Sequence, residues 1–68
     1  LAAGWLIDQC GFKGYKMGRV GVYEKQALVL VNHGGGTGEE LLQLAEQIKK
    51  KVKETFKVSL TVEPVIFN

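Results

Sequence analysis

In 68 residues there is one cysteine, one proline and one histidine. Each scarcity excludes something. Cys10 has no second cysteine to pair with, so the chain is not a small secreted domain stapled by disulfides, and a reducing compartment suits it better. His33 has no second histidine and no cysteine at metal-ligand spacing, which excludes a zinc constellation. No apolar run approaches the roughly 18 residues that a membrane helix needs, and no secretory signal pattern is visible. The net charge of +2 is too small to imply nucleic acid.

What is there suits one small soluble domain. The hydrophobic content of 46% is ordinary for a globular protein. A domain this short buries only about 60% of the surface its unfolded chain exposes, so its stability is marginal. The chain opens on Leu1, and "LAAGWLIDQCG" enters a helix without a capping residue. Both features suggest a piece of a longer polypeptide, one domain over residues 1–68.

The periodicity predicts the order α-β-β-α-β: an α+β domain with a three-stranded sheet and helices packed on it. Residues 1–10 read as a short helix, with Ala2, Leu6 and Cys10 on one apolar stripe. Gly11 follows where a left-handed cap would sit. "GFKGYKMG" (11–18) is punctuated by glycine and reads as a loop. "RVGVYEK" (19–25) alternates and suits a strand with one buried face. "ALVLVN" (27–32) is continuously apolar, the signature of a central strand covered on both faces. "TGEE" (37–40) is a capping box. Behind it, Leu41, Leu44, Ala45, Ile48, Val52 and Phe56 recur at helical spacing. Glu39 and Glu40 at its start and five lysines from Lys49 to Lys57 at its end complement the helix dipole. Residues 58–67 read as a last strand, Val58, Leu60 and Val62 alternating with Ser59, Thr61 and Glu63.

Several stretches invite a chemical reading. "HGGGTGEE" has glycines before a helix N-terminus, as phosphate loops do. It lacks the lysine and hydroxyl residue of a P-loop, and Glu39 and Glu40 stand in their place, so a flexible β-to-α turn is the better reading. "IKKKVKETFK" is basic but has no aromatic residues interleaved for stacking on bases, which favours a solvated helix face. Cys10 with His33 has the residue types of a nucleophile and its base, yet Cys10 lies on the apolar stripe. Gln26, at the start of a buried-looking strand, is either a strand-edge amide or a ligand contact. Glu63 lies in an apolar run just before Pro64. A carboxylate there is costly unless paired, exposed or useful.

Two blocks, "AGWLIDQCGFKG" and "QALVLVN", followed by "GTGEELLQLAEQIKKKVKETFKVSL", carry a resemblance. Together they resemble the C-terminal domain of the UDP-N-acetylenolpyruvoylglucosamine reductases, the MurB flavoenzyme family of peptidoglycan synthesis. The resemblance covers nearly the whole chain, without a gap up to Leu60. It implies a bacterial cytoplasmic oxidoreductase of three domains, this being the third. Two upstream domains would bind FAD, NADPH would reduce it, and hydride would pass to UDP-N-acetylglucosamine enolpyruvate to give UDP-N-acetylmuramate. The substrate would lie between the second and third domains, so neither FAD nor NADPH would be bound by this chain alone, and the chain alone would be inactive. No nucleic acid and no membrane would be partners.

Carried over by position, the resemblance puts Glu63 on the family's catalytic glutamate and Gln26 on a substrate-binding His or Gln near the diphosphate. A carboxyl in a partly apolar strand is expected to hold its proton more tightly, which would let it donate to charge building on the substrate carboxylate. The match breaks at this point. The family reads L-E-P-E-V-R where this chain reads "LTVEPV", so the proline has moved behind the glutamate and Val65 replaces the basic residue. A second register would put Val65 at the catalytic position; "FKVSL" holds the frame and favours the ungapped one. Pro64 keeps Glu63 extended, as prolines do to the residue before them. Arg19 and Lys57 also stand where the family usually has glycine. The rival reading is a free-standing interaction module that uses its lysine-rich helix.

Overall fold

The computed structural model describes residues 2–60 and 65–67. Helix α1 spans Ala3–Gln9, strands β1, β2 and β3 span Lys16–Met17, Val20–Val22 and Val29–Asn32, helix α2 spans Gly38–Phe56, and strand β4 spans Val65–Phe67. The strands form one sheet in the order β1-β2-β3-β4. The first three are antiparallel neighbours, and β4 lies parallel to β3. The α+β class holds. The sheet has four strands, however, because the glycine-rich stretch read as a loop contains β1.

Gly18 explains that extra strand. Met17 pairs with Val20, so Gly18 and Arg19 form a two-residue hairpin loop. Tight hairpins of this length need a positive φ at the first central position, and Gly18 supplies φ +63°. Arg19, in the second position, has a negative φ among the described residues. A side chain is therefore tolerated there.

Helix α2 follows its sequence pattern closely. Thr37 Oγ1 accepts from Glu40 N–H at 3.1 Å, and Glu40 Oε1 accepts from Thr37 N–H at 3.0 Å. The capping box is thus complete in both directions. Leu41, Leu44, Ala45, Ile48 and Val52 are buried along one stripe, with Phe56 half-buried at its end. At the other terminus Lys57 adopts φ 60°, the left-handed conformation that caps many helices.

The core forms on one face of the sheet. Val20, Val22 and Leu30 share that face by register, and they pack with Leu6 and Ile7 of α1 and with the α2 stripe. Phe12 closes the core below α1, edge-on to Tyr15 with ring centroids 5.3 Å apart. Trp5 leans on Phe56 at 5.9 Å. Cys10 packs partly buried against the same cluster, as its place on the apolar stripe implied.

The connection between β2 and β3 is longer than the run "ALVLVN" suggests. Val29 N–H donates to Gln26 C=O at 3.1 Å, so residues 26–29 make a turn and the strand starts at Val29. Ala27 is buried in that turn. Its burial gives an apolar signature identical to that of a strand residue. The last strand is described only over Val65–Phe67, and Val58–Leu60 are not part of it.

Candidate functional site

The two residues singled out for substrate stand differently. Gln26 does not begin a strand; it lies exposed in the turn before β3 and makes no side-chain hydrogen bond among the described residues. Glu63 lies outside the described residues. The register around both segments is defined. Val65 pairs with Val29, and Val65 N–H donates to Leu28 C=O at 3.0 Å. The parallel strands β3 and β4 therefore start at the same end of the sheet, and Gln26 comes three positions before Val29.

The glycine-rich stretch is organised by Asn32, which sequence reasoning passed over. Asn32 Oδ1 accepts from Gly34 N–H at 2.9 Å and Gly36 N–H at 3.0 Å, while its Nδ2 donates to Gly36 C=O at 2.7 Å. A polar side chain that hydrogen-bonds the next residues' backbone is a recognised way to build a turn. The signal was in the sequence: an asparagine ending a strand, followed by glycines. These bonds also decide the phosphate question. The N–H groups of Gly34 and Gly36 point at Asn32, and that of Thr37 points at Glu40. Those donors are occupied by the chain's own oxygens, so the loop is a tied turn, not an anion cradle.

His33 and Cys10 are not brought together. His33 N–H donates to Arg19 C=O at 2.8 Å, and its ring lies over Gly21 on the sheet face away from the helices. Cys10 lines a separate groove with Phe12, Tyr15, Gln47 and Lys50, where Gln47 Nε2 donates to the Tyr15 hydroxyl at 3.1 Å. No group of three or more His, Cys, Asp or Glu among the described residues could hold a metal ion. No helix of the described residues is long and apolar enough to cross a membrane.

The lysine-rich end of α2 is largely engaged locally. Lys49 pairs with Glu46 at 3.4 Å, Lys53 Nζ donates to Ser59 Oγ at 2.9 Å, and Lys57 Nζ donates to Glu54 C=O at 3.2 Å. A depression of about 730 Å³ lies on the outer sheet face and includes Lys16, Tyr23, Val29, Val31 and His33 in its lining.

The family model described as "UDP-N-acetylenolpyruvoylglucosamine reductase, C-terminal domain" matches residues 1–67. The chain belongs to this family. It is 70% identical over 66 residues to the UDP-N-acetylenolpyruvoylglucosamine reductase of Polynucleobacter asymbioticus, covering 97% of this chain and 19% of that protein. The same-named reductase of Chromobacterium violaceum is 61% identical, again over 97% of this chain and 19% of its own length. That of Bdellovibrio bacteriovorus is 57% identical over 96% of this chain and 19% of its length. The chain thus spans about a fifth of the length of the curated reductases it matches.

Within the reductase family, the two non-glycine departures now have a structural reading. Arg19 occupies the loop position that needs no positive φ, so it is accommodated without strain. Lys57 occupies one that does, at φ 60°. A left-handed conformation costs a residue with a Cβ roughly 1–2 kcal/mol relative to glycine.

Proposed function

We propose that this chain is the substrate-contacting third domain of an NADPH- and FAD-dependent reductase that converts UDP-N-acetylglucosamine enolpyruvate to UDP-N-acetylmuramate in peptidoglycan synthesis. The observation that carries the reading is the family match over residues 1–67, with 70% identity to a reductase of that name. Bound FAD, reduced by NADPH, would supply the hydride. We assign both cofactors to the upstream domains and no residue of this chain to either.

Gln26 acts on the diphosphate. Its exposed amide is free to donate to phosphoryl oxygens without adding charge. Glu63 acts at the enolpyruvyl end, where its carboxyl polarises the substrate carboxylate or donates a proton to it. Support for pairing these two residues comes from the resemblance, which carries both over by position; Val65 lies beside Val29 in the sheet. The lone thiol suits a reducing, cytoplasmic setting. An interaction module built on the lysine-rich helix is less favoured, since Lys53 and Lys57 already bond to neighbouring residues.

The test is Glu63→Gln in the full-length reductase, followed by stopped-flow. Reoxidation of the reduced flavin by the UDP-sugar should slow about 100-fold or more, the usual worth of a positioned acid, while flavin reduction by NADPH is unchanged. Reoxidation at the native rate removes Glu63 from the mechanism.

A further inference from the structure

The outer face of the sheet poses a problem that the fold leaves open. Strand register puts Lys16, Gly21 and Val31 in one row on that face, and Val29 and Val65 in the next. A sheet with one wet face alternates apolar and polar residues along its strands. This one does not. Leu30 of β3 faces the core, yet Val29 and Val31, which face the other way, are also branched and apolar. Val65 extends the strip at 58% exposure and Tyr23 flanks it at 39%. The run "ALVLV" has the composition of a strand covered on both faces, but both helices of the described residues pack on the same one.

We infer that the second cover is the polypeptide that precedes this domain in the full-length reductase, docked on the strip Tyr23–Val29–Val31–Val65. Three observations select that occupant. The family description makes this the C-terminal domain, and relatives about five times as long supply the polypeptide to do the covering. The strip has the anatomy of an interface. Its centre is apolar, and its rim carries Lys16, Glu24 and His33. The Tyr15 carbonyl and the His33 ring already close over Gly21, and beside them a depression of about 730 Å³ lined by Tyr23, Val29 and Val31 stays open. An apolar side chain from the preceding polypeptide suits that depression. This strip adjoins the sheet end where Gln26 lies, sharing Val29 with the turn that holds it, but the inference does not depend on the role proposed for Gln26.

Hydroxyl-radical footprinting of the full-length reductase tests the inference through the Tyr23 ring. On a bare face, 39% exposure predicts labelling about 2.5-fold slower than in the unfolded chain. A docked face predicts at least about a tenfold slowing, as for a side chain in an interface core, equal with and without UDP-sugar and at all protein concentrations. Labelling near the bare-face rate overturns the inference. Protection that appears only with UDP-sugar overturns it in favour of a substrate wall, and protection that rises with protein concentration overturns it in favour of a second copy. Val31→Lys puts a charge on the strip without touching the core side; it should return Tyr23 to the bare-face rate, and continued protection in that variant counts against docking. If the variant does not fold, the unsubstituted enzyme still decides the matter.

Discussion

Asn32 grips Gly36 by both of its backbone polar groups: Oδ1 accepts the Gly36 N–H at 3.0 Å and Nδ2 donates to the Gly36 carbonyl at 2.7 Å. The contact fixes where β3 ends and α2 begins. Gly36 itself has no room for a side chain, since a Cβ there would come within 2.7 Å of Val20 Cγ1. Asn32→Ala removes both bonds and the third to Gly34 N–H. We expect a loss of about 1–3 kcal/mol, read as a lower urea midpoint with an unchanged slope, because part-buried backbone groups lose their partners. Asn32→Asp should not restore stability, since it has no N–H for the Gly36 carbonyl.

Gly21 tests how closely β1 and β2 approach. A Cβ at this position would sit 2.6 Å from the Tyr15 carbonyl oxygen, which already accepts the Val22 N–H at 2.8 Å. The obstacle is backbone and cannot swing aside. Gly21→Ala should therefore cost about 1–3 kcal/mol by displacing the hairpin, as other overpacking substitutions do. Thermal unfolding monitored by circular dichroism checks it; an unchanged midpoint would show that the hairpin yields freely.

Lys57→Gly should stabilise the protein. The substitution relieves a left-handed conformation worth about 1–2 kcal/mol, and glycine's greater freedom in the unfolded chain takes back about 0.4–1. The net gain is about 0.5–1 kcal/mol, a rise of a few degrees in Tm for a domain of this size. The long-chain bond from Lys57 Nζ to Glu54 C=O is lost as well, but it is exposed and contributes little.

Gln26→Ala separates binding from chemistry in the full-length reductase. If Gln26 holds the diphosphate equally in ground and transition states, KM for the UDP-sugar should rise about tenfold, the worth of a hydrogen bond to a charged group. The turnover number and KM for NADPH should hardly move. An unchanged KM for the UDP-sugar would remove Gln26 from the site.

Local patterns in the chain were sufficient for much of the fold. The helix over Gly38–Phe56 was legible because its capping box and its apolar stripe at Leu41, Leu44, Ile48 and Val52 are properties of neighbours in sequence. Gly11 was legible as a left-handed cap for the same reason, and it has φ +82°. The misses share a cause. Lys16–Met17 was read as loop because its partner Val20–Val22 and the Gly18 turn that joins them matter more than its own composition. Ala27 was read as strand because burial in a turn looks the same as burial in a sheet. The glycines were read as a flexible turn because the hydrogen bonds that tie them come from Asn32, whose role depends on its place at the end of a strand.

The sequence by itself determined the family, the α+β class, the long capped helix and the two residues proposed to meet substrate, since each rests on residue identity or on spacing along the chain. Only the tertiary structure decided that the sheet has four strands, that Gln26 lies exposed in a turn, that His33 and Cys10 stand apart, and that one face of an apolar sheet is left bare by the described helices. Those outcomes depend on which distant residues meet. That is set by strand register and by the side of the sheet on which the helices bury their stripes, and neither is a property of any short stretch of chain.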